Sequence, residues 1–389
     1  MLERPGGVRP IVAAMPFSKI AQVAMPGLGD PAVIPLWFGE SDVPTPGFIC
    51  EAAATALGAG HTFYTFKRGI PELRHAVARY LGELYGRAVA PERVIVTSSG
   101  MSGIMLMCQA LIEPGDNVVI VSPVWPNISD AATVIGGEAR AAPLIPTAQG
   151  GWRFDLDRVI ACCDASTRAI FVNSPGNPTG WVMSSDEAAA LLAFTRQRGI
   201  WLIADEVYHR FVFDGRRAAP SLLELALPED RVVVVNSFSK AWAMTGWRLG
   251  WLVAPREIQD VADKIIEFNT SGAPAFLQHA AIAALEAGDG FVAELVERCR
   301  VGRDLLVQGL QRFPRLRASA PEGGFYVFCR VEGLTDSLSF AKEILARCKV
   351  GVAPGAAFGP GGEGHLRLCF ASAPERLAAA LDRLATVFA

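Results

Sequence analysis

Ser237-Phe-Ser239-Lys240 places a lysine directly after the apolar run Arg231-Val-Val-Val-Val-Asn236, and Gly246-Trp-Arg248 adds an arginine close behind. Such a run reads as a strand buried on both faces, as in a parallel sheet, and the carboxyl end of such a strand is where α/β sheets bind ligands. A lysine amine there can form a Schiff base with an aldehyde or ketone. It is most nucleophilic when desolvation or a neighbouring cation lowers its pKa. Arg248 could supply that cation or grip a phosphate; the plain alternative is a solvated loop lysine and a surface arginine.

Further polar groups fall just after predicted strands. Ser98-Ser99-Gly100-Met101-Ser102 follows Val94–Thr97 and opens a helix, so its N–H groups and hydroxyls could hold a phosphate at the positive helix end. A simple helix cap uses the same residue types. Pro123-Val-Trp125 offers an aromatic face on which a ring could stack, or a core tryptophan. In Asn173-Ser-Pro-Gly-Asn177-Pro-Thr-Gly180 the prolines and glycines fix a rigid loop that would present Asn177. Asp205-Glu-Val-Tyr208 sets a carboxylate at the end of a buried strand, and buried carboxylates seek cations; an acidic helix cap is the alternative. Were the cation a protonated ring nitrogen, the pair would make the ring an electron sink. Together the groups suit one ligand. Lys240 calls for an aldehyde, Ser99, Gly100 and Arg248 for a phosphate, Asp205 for a pyridinium, Tyr208 and Asn177 for a phenolate oxygen, and Trp125 for a ring face. Pyridoxal 5′-phosphate has all of these.

The elements that must position these residues alternate between about 90 and 255. Val94–Thr97, Asn117–Ser122, 168–172, 200–204, 232–236 and 249–253 read as strands, with helical spacing at 103–112 and 184–198 between them. Alternation of this kind predicts a mostly parallel sheet covered by helices on both faces, an α/β class. After about residue 256 the pattern changes to long amphipathic helices, 256–268 and 291–313, then short strands at 324–329 and 365–371 and a closing helix from Pro374. This predicts a second, smaller α+β domain, which the segment around 34–40 joins. The expected organisation is an N-terminal arm at 1–14, extended by its prolines and glycines, a small α+β domain from 15–45 and 286–389, and a large domain at 46–285 with a seven-stranded sheet.

Composition limits the function classes. With 389 residues the chain exceeds one ordinary core. The net charge is −3, with charges scattered rather than blocked, which argues against a nucleic-acid partner. No apolar run approaches the roughly 18 residues of a spanning helix, so no membrane partner is expected. The N-terminal residues show neither a signal-like apolar region nor a cleavage site, which points to the cytoplasm. The eight cysteines form no C-x-x-C pair and have no histidine at ligand spacing, so buried free thiols and no metal site are expected. Gly359-Pro-Gly361-Gly-Glu-Gly364 fits a dinucleotide fingerprint but precedes a strand rather than opening a helix, and Ser237-Phe-Ser-Lys240 lacks the companion strings of a serine hydrolase.

Asn177-Pro-Thr-Gly, Asp205-Glu-Val-Tyr208, Ser237-Phe-Ser239-Lys240 and Gly246-Trp-Arg248-Leu-Gly occur in the order and spacing of the class I/II aminotransferases of the aspartate aminotransferase superfamily, fold type I, which the chain resembles over nearly its whole length. The resemblance implies that Lys240 holds the cofactor as a Schiff base and then moves the substrate proton, that Asp205 binds the ring nitrogen, and that Tyr208 and Asn177 bind the ring oxygen. It assigns the phosphate to Ser99, the Met101 backbone, Ser237, Ser239 and Arg248, with Gly100 allowing close approach and Trp125 stacking on the ring. It assigns the substrate α-carboxylate to Arg367, in His365-Leu-Arg367-Leu-Cys-Phe, and to the backbone of Gly39. Tyr64 resembles a tyrosine that reaches the phosphate of the neighbouring subunit, which implies a homodimer. Thr270 lies near another such position in a segment that departs from the usual wording. Some relatives acting on dicarboxylic acids carry a lysine where this chain has Met101, and the resemblance puts Trp37, Phe38 and Phe325-Tyr326-Val327-Phe328 nearby, so a neutral or hydrophobic amino acid is expected as donor and a 2-oxo acid as acceptor. The alternative within the fold is a cofactor-dependent carbon–sulfur β-lyase or another eliminase or decarboxylase.

Overall fold

The computed structural model describes residues 7–388. Its largest sheet has seven strands in the spatial order Val94–Thr97, Gly250–Val253, Val232–Ser237, Trp201–Asp205, Thr167–Asn173, Asn117–Ser122 and Glu138–Pro143. Gly250–Val253 runs antiparallel to both its neighbours and every other pairing is parallel. The apolar runs are continuous because both faces are covered. Val232 and Val234 face one core with Leu73, Val77 and Leu191, while Val233 and Val235 face the other with Ile104, Leu106 and Ile128.

Six of the strands match the apolar runs read from the sequence to within a residue or two. The seventh, Glu138–Pro143, is an edge strand of charged and small residues, and only one of its six side chains is buried. It carries no apolar signal to read. The pattern of long amphipathic helices begins at Arg256–Asn269, yet this first helix lies within the expected 46–285 span, and Ile258, Ala262, Ile265 and Ile266 pack on the large sheet. Amphipathicity reports that a helix has one buried face, not which core receives it.

A second core joins a four-stranded antiparallel sheet, ordered Leu316–Arg317, Tyr326–Val331, His365–Cys369, Ala353–Pro354, to the helices Ser337–Cys348 and Pro374–Phe388. Ile34–Pro35 pairs in parallel with Val350–Gly351, and Leu36 and Trp37 are buried in the same core. The helix Asp289–Leu310 serves both cores, with Val292 in the first and Leu295, Leu306 and Leu310 in the second.

Two smaller expectations need correction. Residues 1–6 of the expected extended arm lie outside the described residues, and Pro10–Ala13 forms a helical turn, with Arg9 Nη2 donating to the Val134 carbonyl at 2.8 Å. Among the cysteines, Cys108, Cys299, Cys329, Cys348 and Cys369 are buried free thiols, whereas Cys162 and Cys163 are half-buried and Cys50 is exposed.

Candidate active site

One cavity opens beyond the carboxyl ends of the central strands. Gly39, Ser99, Gly100, Met101, Trp125, Asn177, Asp205, Tyr208, Ser237, Ser239, Lys240 and Arg248 all line it. The fold brings these residues together from segments more than 200 positions apart. Asn173, Ile104, Val207 and Tyr326 line it too, and sequence reading did not single them out as site residues.

Lys240 follows the strand Val232–Ser237 within the helical turn Phe238–Ala241. Its amine donates to the Gly39 carbonyl at 2.6 Å. Burial pulls its pKa down to about 8, and the positive Arg367 adds to that effect. Arg248 is not the depressing neighbour first suggested by its spacing. It is exposed, its backbone is left-handed at φ 53°, and Nη1 donates to the Thr245 carbonyl at 2.6 Å.

Asp205 is the last residue of its strand and is only 8% exposed. Burial lifts its carboxyl to about 7, against a hydrogen bond from the Val207 N–H and the more distant charge of Lys240. Among the described residues no cation pairs with it at ion-pair distance. Asn173, one strand over, fixes the neighbouring loop. Its Nδ2 donates to the Asp205 carbonyl at 2.9 Å while its Oδ1 accepts from the Asn177 N–H at 2.7 Å. The Asn177 carbonyl in turn accepts from the Trp125 N–H at 2.9 Å. The rigid loop therefore sets both Asn177 and the half-buried Trp125.

The side of the cavity formed by Ser99 and Ser237 is built from two strand ends. Ser99 caps the helix Gly100–Leu111, its Oγ accepting from the Ser102 N–H at 2.9 Å. Ser237 caps the turn that carries Lys240 and lies 2.9 Å from the Ser239 hydroxyl. The two turns meet across glycines. A Cβ on Gly250 would stand 2.7 Å from both the Gly100 nitrogen and the Asn236 carbonyl oxygen. Backbone N–H groups at a helix start, hydroxyls and one exposed arginine make an anion cradle.

Behind the lining residues Asn177 and Tyr326 stands Arg367, fully buried in the strand His365–Cys369. Nη1 donates to Asn177 Oδ1 at 2.8 Å, Nη2 to the Trp37 carbonyl, and Nε has no partner. The guanidinium lies 4.3 Å over the Tyr326 ring and 4.9 Å over that of Phe358. No carboxylate pairs with it among the described residues. A buried arginine cannot shed its proton, so it is held by dipoles and ring faces with capacity left for an anion. Asn177 joins this arginine to the lining, since its Nδ2 also donates to the Tyr208 hydroxyl at 3.5 Å.

Besides Arg367, which stands behind the lining, two predicted residues stay outside this cavity. Tyr64 is 93% exposed and Thr270 is exposed at the end of the helix Arg256–Asn269. The missed residues had weak signals. Tyr326 alone offered one, because a hydroxyl in the apolar run Phe325-Tyr326-Val327-Phe328 needs a partner once buried. The geometry fits the group that the sequence implied: a buried acid without a cation, a desolvated amine, an anion cradle and a flat ring face surround one cavity.

Comparison with known proteins gives the family. The family described as aminotransferase class I and II matches residues 32–384. The aspartate aminotransferase of Pyrococcus horikoshii is 34% identical over 355 residues, 90% of each chain. The arginine–pyruvate transaminase of Pseudomonas aeruginosa is 35% identical over 357 residues, 91% of this chain and 89% of its own. The structure of a single mutant of Thermus thermophilus aspartate aminotransferase superposes with a TM-score of 0.90 at 34% identity, covering 98% of this chain and 99% of that one. The chain belongs to the class I and II aminotransferases, enzymes that use pyridoxal phosphate to exchange amino groups between amino acids and 2-oxo acids.

Proposed function

We propose that Lys240, Asp205 and Tyr208 carry the chemistry of this aminotransferase and that its amino donor has a neutral or hydrophobic side chain. When bound, pyridoxal phosphate supplies an aldehyde for amines and a ring that accepts the electron pair left by a broken Cα–H bond. The Lys240 amine, brought to about 8 by burial, is the group that would hold that aldehyde, with water as the leaving group. Displaced by the substrate amine, the same Lys240 side chain would be the base that takes the Cα proton and the acid that returns it to the cofactor carbon. Asp205 keeps a positive charge on the ring nitrogen in a site where its own charge is otherwise costly. Tyr208 and Asn177 hold the ring oxygen, and Trp125 fixes the ring plane. Ser99, the Met101 N–H, Ser237, Ser239 and Arg248 hold the phosphate, with Gly100 open to close approach. Arg367 and the Gly39 backbone receive the α-carboxylate, with Asn177 at the junction of both sets.

One observation carries the donor class. The cations that line the cavity are Lys240 and Arg248, and both have roles already. The remaining lining is Met101, Ile104, Trp125 and Val207, with Asn173 and Tyr326, whose polar atoms are already paired, so an acidic side chain would find no further cation there. Relatives of similar identity bear names as different as aspartate and arginine–pyruvate aminotransferase, so membership of the family leaves the donor open. The rates at which alanine, leucine, phenylalanine and aspartate convert the bound cofactor to its amine form test the reading. Leucine or phenylalanine should be fastest with a 2-oxo acid needed for turnover. A preference for aspartate would sink the donor class, and release of pyruvate and ammonia from cysteine-type donors without any acceptor would sink the transamination.

The assembly is read as a homodimer in the cytoplasm. Tyr64 stands beside exposed Phe63 and Phe66, and the Lys67–Glu267 ion pair ties that segment to the helix bearing exposed Phe268. Such a patch of rings suits an interface, through which Tyr64 reaches the phosphate of the neighbouring site. Among the described residues no helix is long and apolar enough to cross a membrane.

A further inference from the structure

Tyr326 is fully buried at the start of the strand Tyr326–Val331, and its hydroxyl lies 2.7 Å from that of Tyr208. Tyr208 is the only hydrogen-bond partner of that hydroxyl among the described residues. The ring has little freedom. A Cβ on Gly39 would stand 1.9 Å from the Tyr326 oxygen, and the Arg367 guanidinium covers one ring face at 4.3 Å. A phenol oxygen has one proton to give and two lone pairs. With no other acceptor, Tyr326 gives its proton to the Tyr208 oxygen. Tyr208 then keeps its own proton for the cavity, while Asn177 Nδ2 approaches the remaining lone pair at 3.5 Å.

We infer that Tyr326 is a positioning residue which orients the Tyr208 proton toward the cofactor's ring oxygen and polarises it, an inference that rests on the assignment of Tyr208 made above. A donated hydrogen bond makes the Tyr208 O–H a better donor, which favours the ring oxygen as an anion and so favours loss of the proton from the nitrogen joining Lys240 to the cofactor. The ionisable groups around Tyr208 and Lys240 are Asp205, Glu40, Cys369 and Arg367. Removing one neutral hydroxyl changes none of their charges.

The test is a pH titration of the cofactor absorbance band in the holoenzyme. Tyr326→Phe removes only the hydroxyl, and the apparent pKa of the band should rise by about half a unit, the size expected for part of one hydrogen bond. In a Tyr208→Phe background the same substitution should add no shift. A Tyr326→Phe protein that titrates where the wild type does, or that shifts equally with Tyr208 already replaced, overturns the inference and leaves the assignment of Tyr208 standing. A wild-type band that a Tyr208→Phe substitution fails to move overturns both. If Tyr326→Phe does not fold, Gly39→Ala supplies the second variant: its methyl displaces the Tyr326 hydroxyl and should raise the same pKa, and an unmoved band there also counts against the inference.

Discussion

The two sheets that flank the cavity each bury an ionisable group without its counter-ion, yet they tolerate it by different physics. Asp205, at the strand ends of the large sheet, escapes most of the cost by holding a proton, since burial lifts its carboxyl to about 7. Arg367, in the small sheet, has no such option. It is held by the Trp37 carbonyl, by Asn177 and by the faces of Tyr326 and Phe358. The acid is therefore a switchable host for a cation, and the base a permanent host for an anion. Under the proposed assignment, that suits a cofactor that stays, with its ring nitrogen on Asp205, and a substrate whose carboxylate would be received in every cycle.

The largest effect should come from neutralising the acid. Asp205→Asn removes the charge that holds the ring nitrogen positive, and turnover should fall by about a thousandfold, the scale of losing one preorganised electrostatic contact at developing charge. Saturation with substrate should not restore it. Arg367→Lys should do the reverse. A point charge replaces a planar fork, so KM for donor and acceptor should rise by about a hundredfold, the scale of 2 to 3 kcal/mol for a charged hydrogen bond, while saturated turnover changes less. If both variants lost the same parameter, the division between the two sheets would be wrong.

A pH experiment sharpens the contrast. Between the ordinary carboxylate range and about 7, the folded cofactor-free chain holds a proton on Asp205 that the unfolded chain has released. Its stability should therefore fall as pH rises through that window. A positive ring nitrogen removes this penalty, so the stabilisation given by pyridoxal phosphate should grow with pH, by up to ~1.4 kcal/mol per unit. Glu206 is also lifted by burial, to about 8, but it is occupied by Ser221 and the Leu222 N–H with or without cofactor, so it cancels from the difference. Thermal unfolding with and without pyridoxal phosphate from about pH 5 to about pH 7.5 measures the growth. Asp205→Asn should remove it, and an unchanged slope in that variant would assign the effect elsewhere. Arg367→Lys should leave the slope intact.

The same contrast explains what the sequence could show. The large-domain wall was legible because each of its residues follows an apolar run, and strand ends in a parallel sheet converge on one crevice. Lys240, Asp205, Ser99, Trp125 and Asn177 obey that rule one by one. Nothing local marks Arg367, whose place in the reading came from family resemblance. Its burial depends on Tyr326, Phe358 and Trp37, which come from three separate segments. Tyr326 was hidden inside a run that reads as core, and only the antiparallel register, which sets Tyr326 opposite Cys369 and Phe328 opposite Arg367, brings its ring beside the arginine. The edge strand Glu138–Pro143 escaped for the converse reason: it lies at the sheet margin and needs no apolar pattern to pair.

The smallest effect tests whether the phosphate end belongs to one chain or to two. Within one chain that end has hydroxyls, backbone N–H groups and the exposed Arg248, whose one hydrogen-bond partner among the described residues is the Thr245 carbonyl. It is the least enclosed part of the cavity, in contrast to the sealed surroundings of Asp205 and Arg367. A hydroxyl from a second subunit would complete it, and Tyr64 is the side chain free to supply one. Tyr64→Phe should then weaken pyridoxal phosphate binding by about fivefold to tenfold, the value of one hydrogen bond to an anion, with the dimer intact by sedimentation. Arg248→Lys should weaken binding by a similar factor. Because both groups would hold the same phosphate from opposite chains, the double variant should show a coupling that neither single loss predicts. Strictly additive losses, or a Tyr64→Phe protein with unchanged affinity, would return the phosphate end to a single chain.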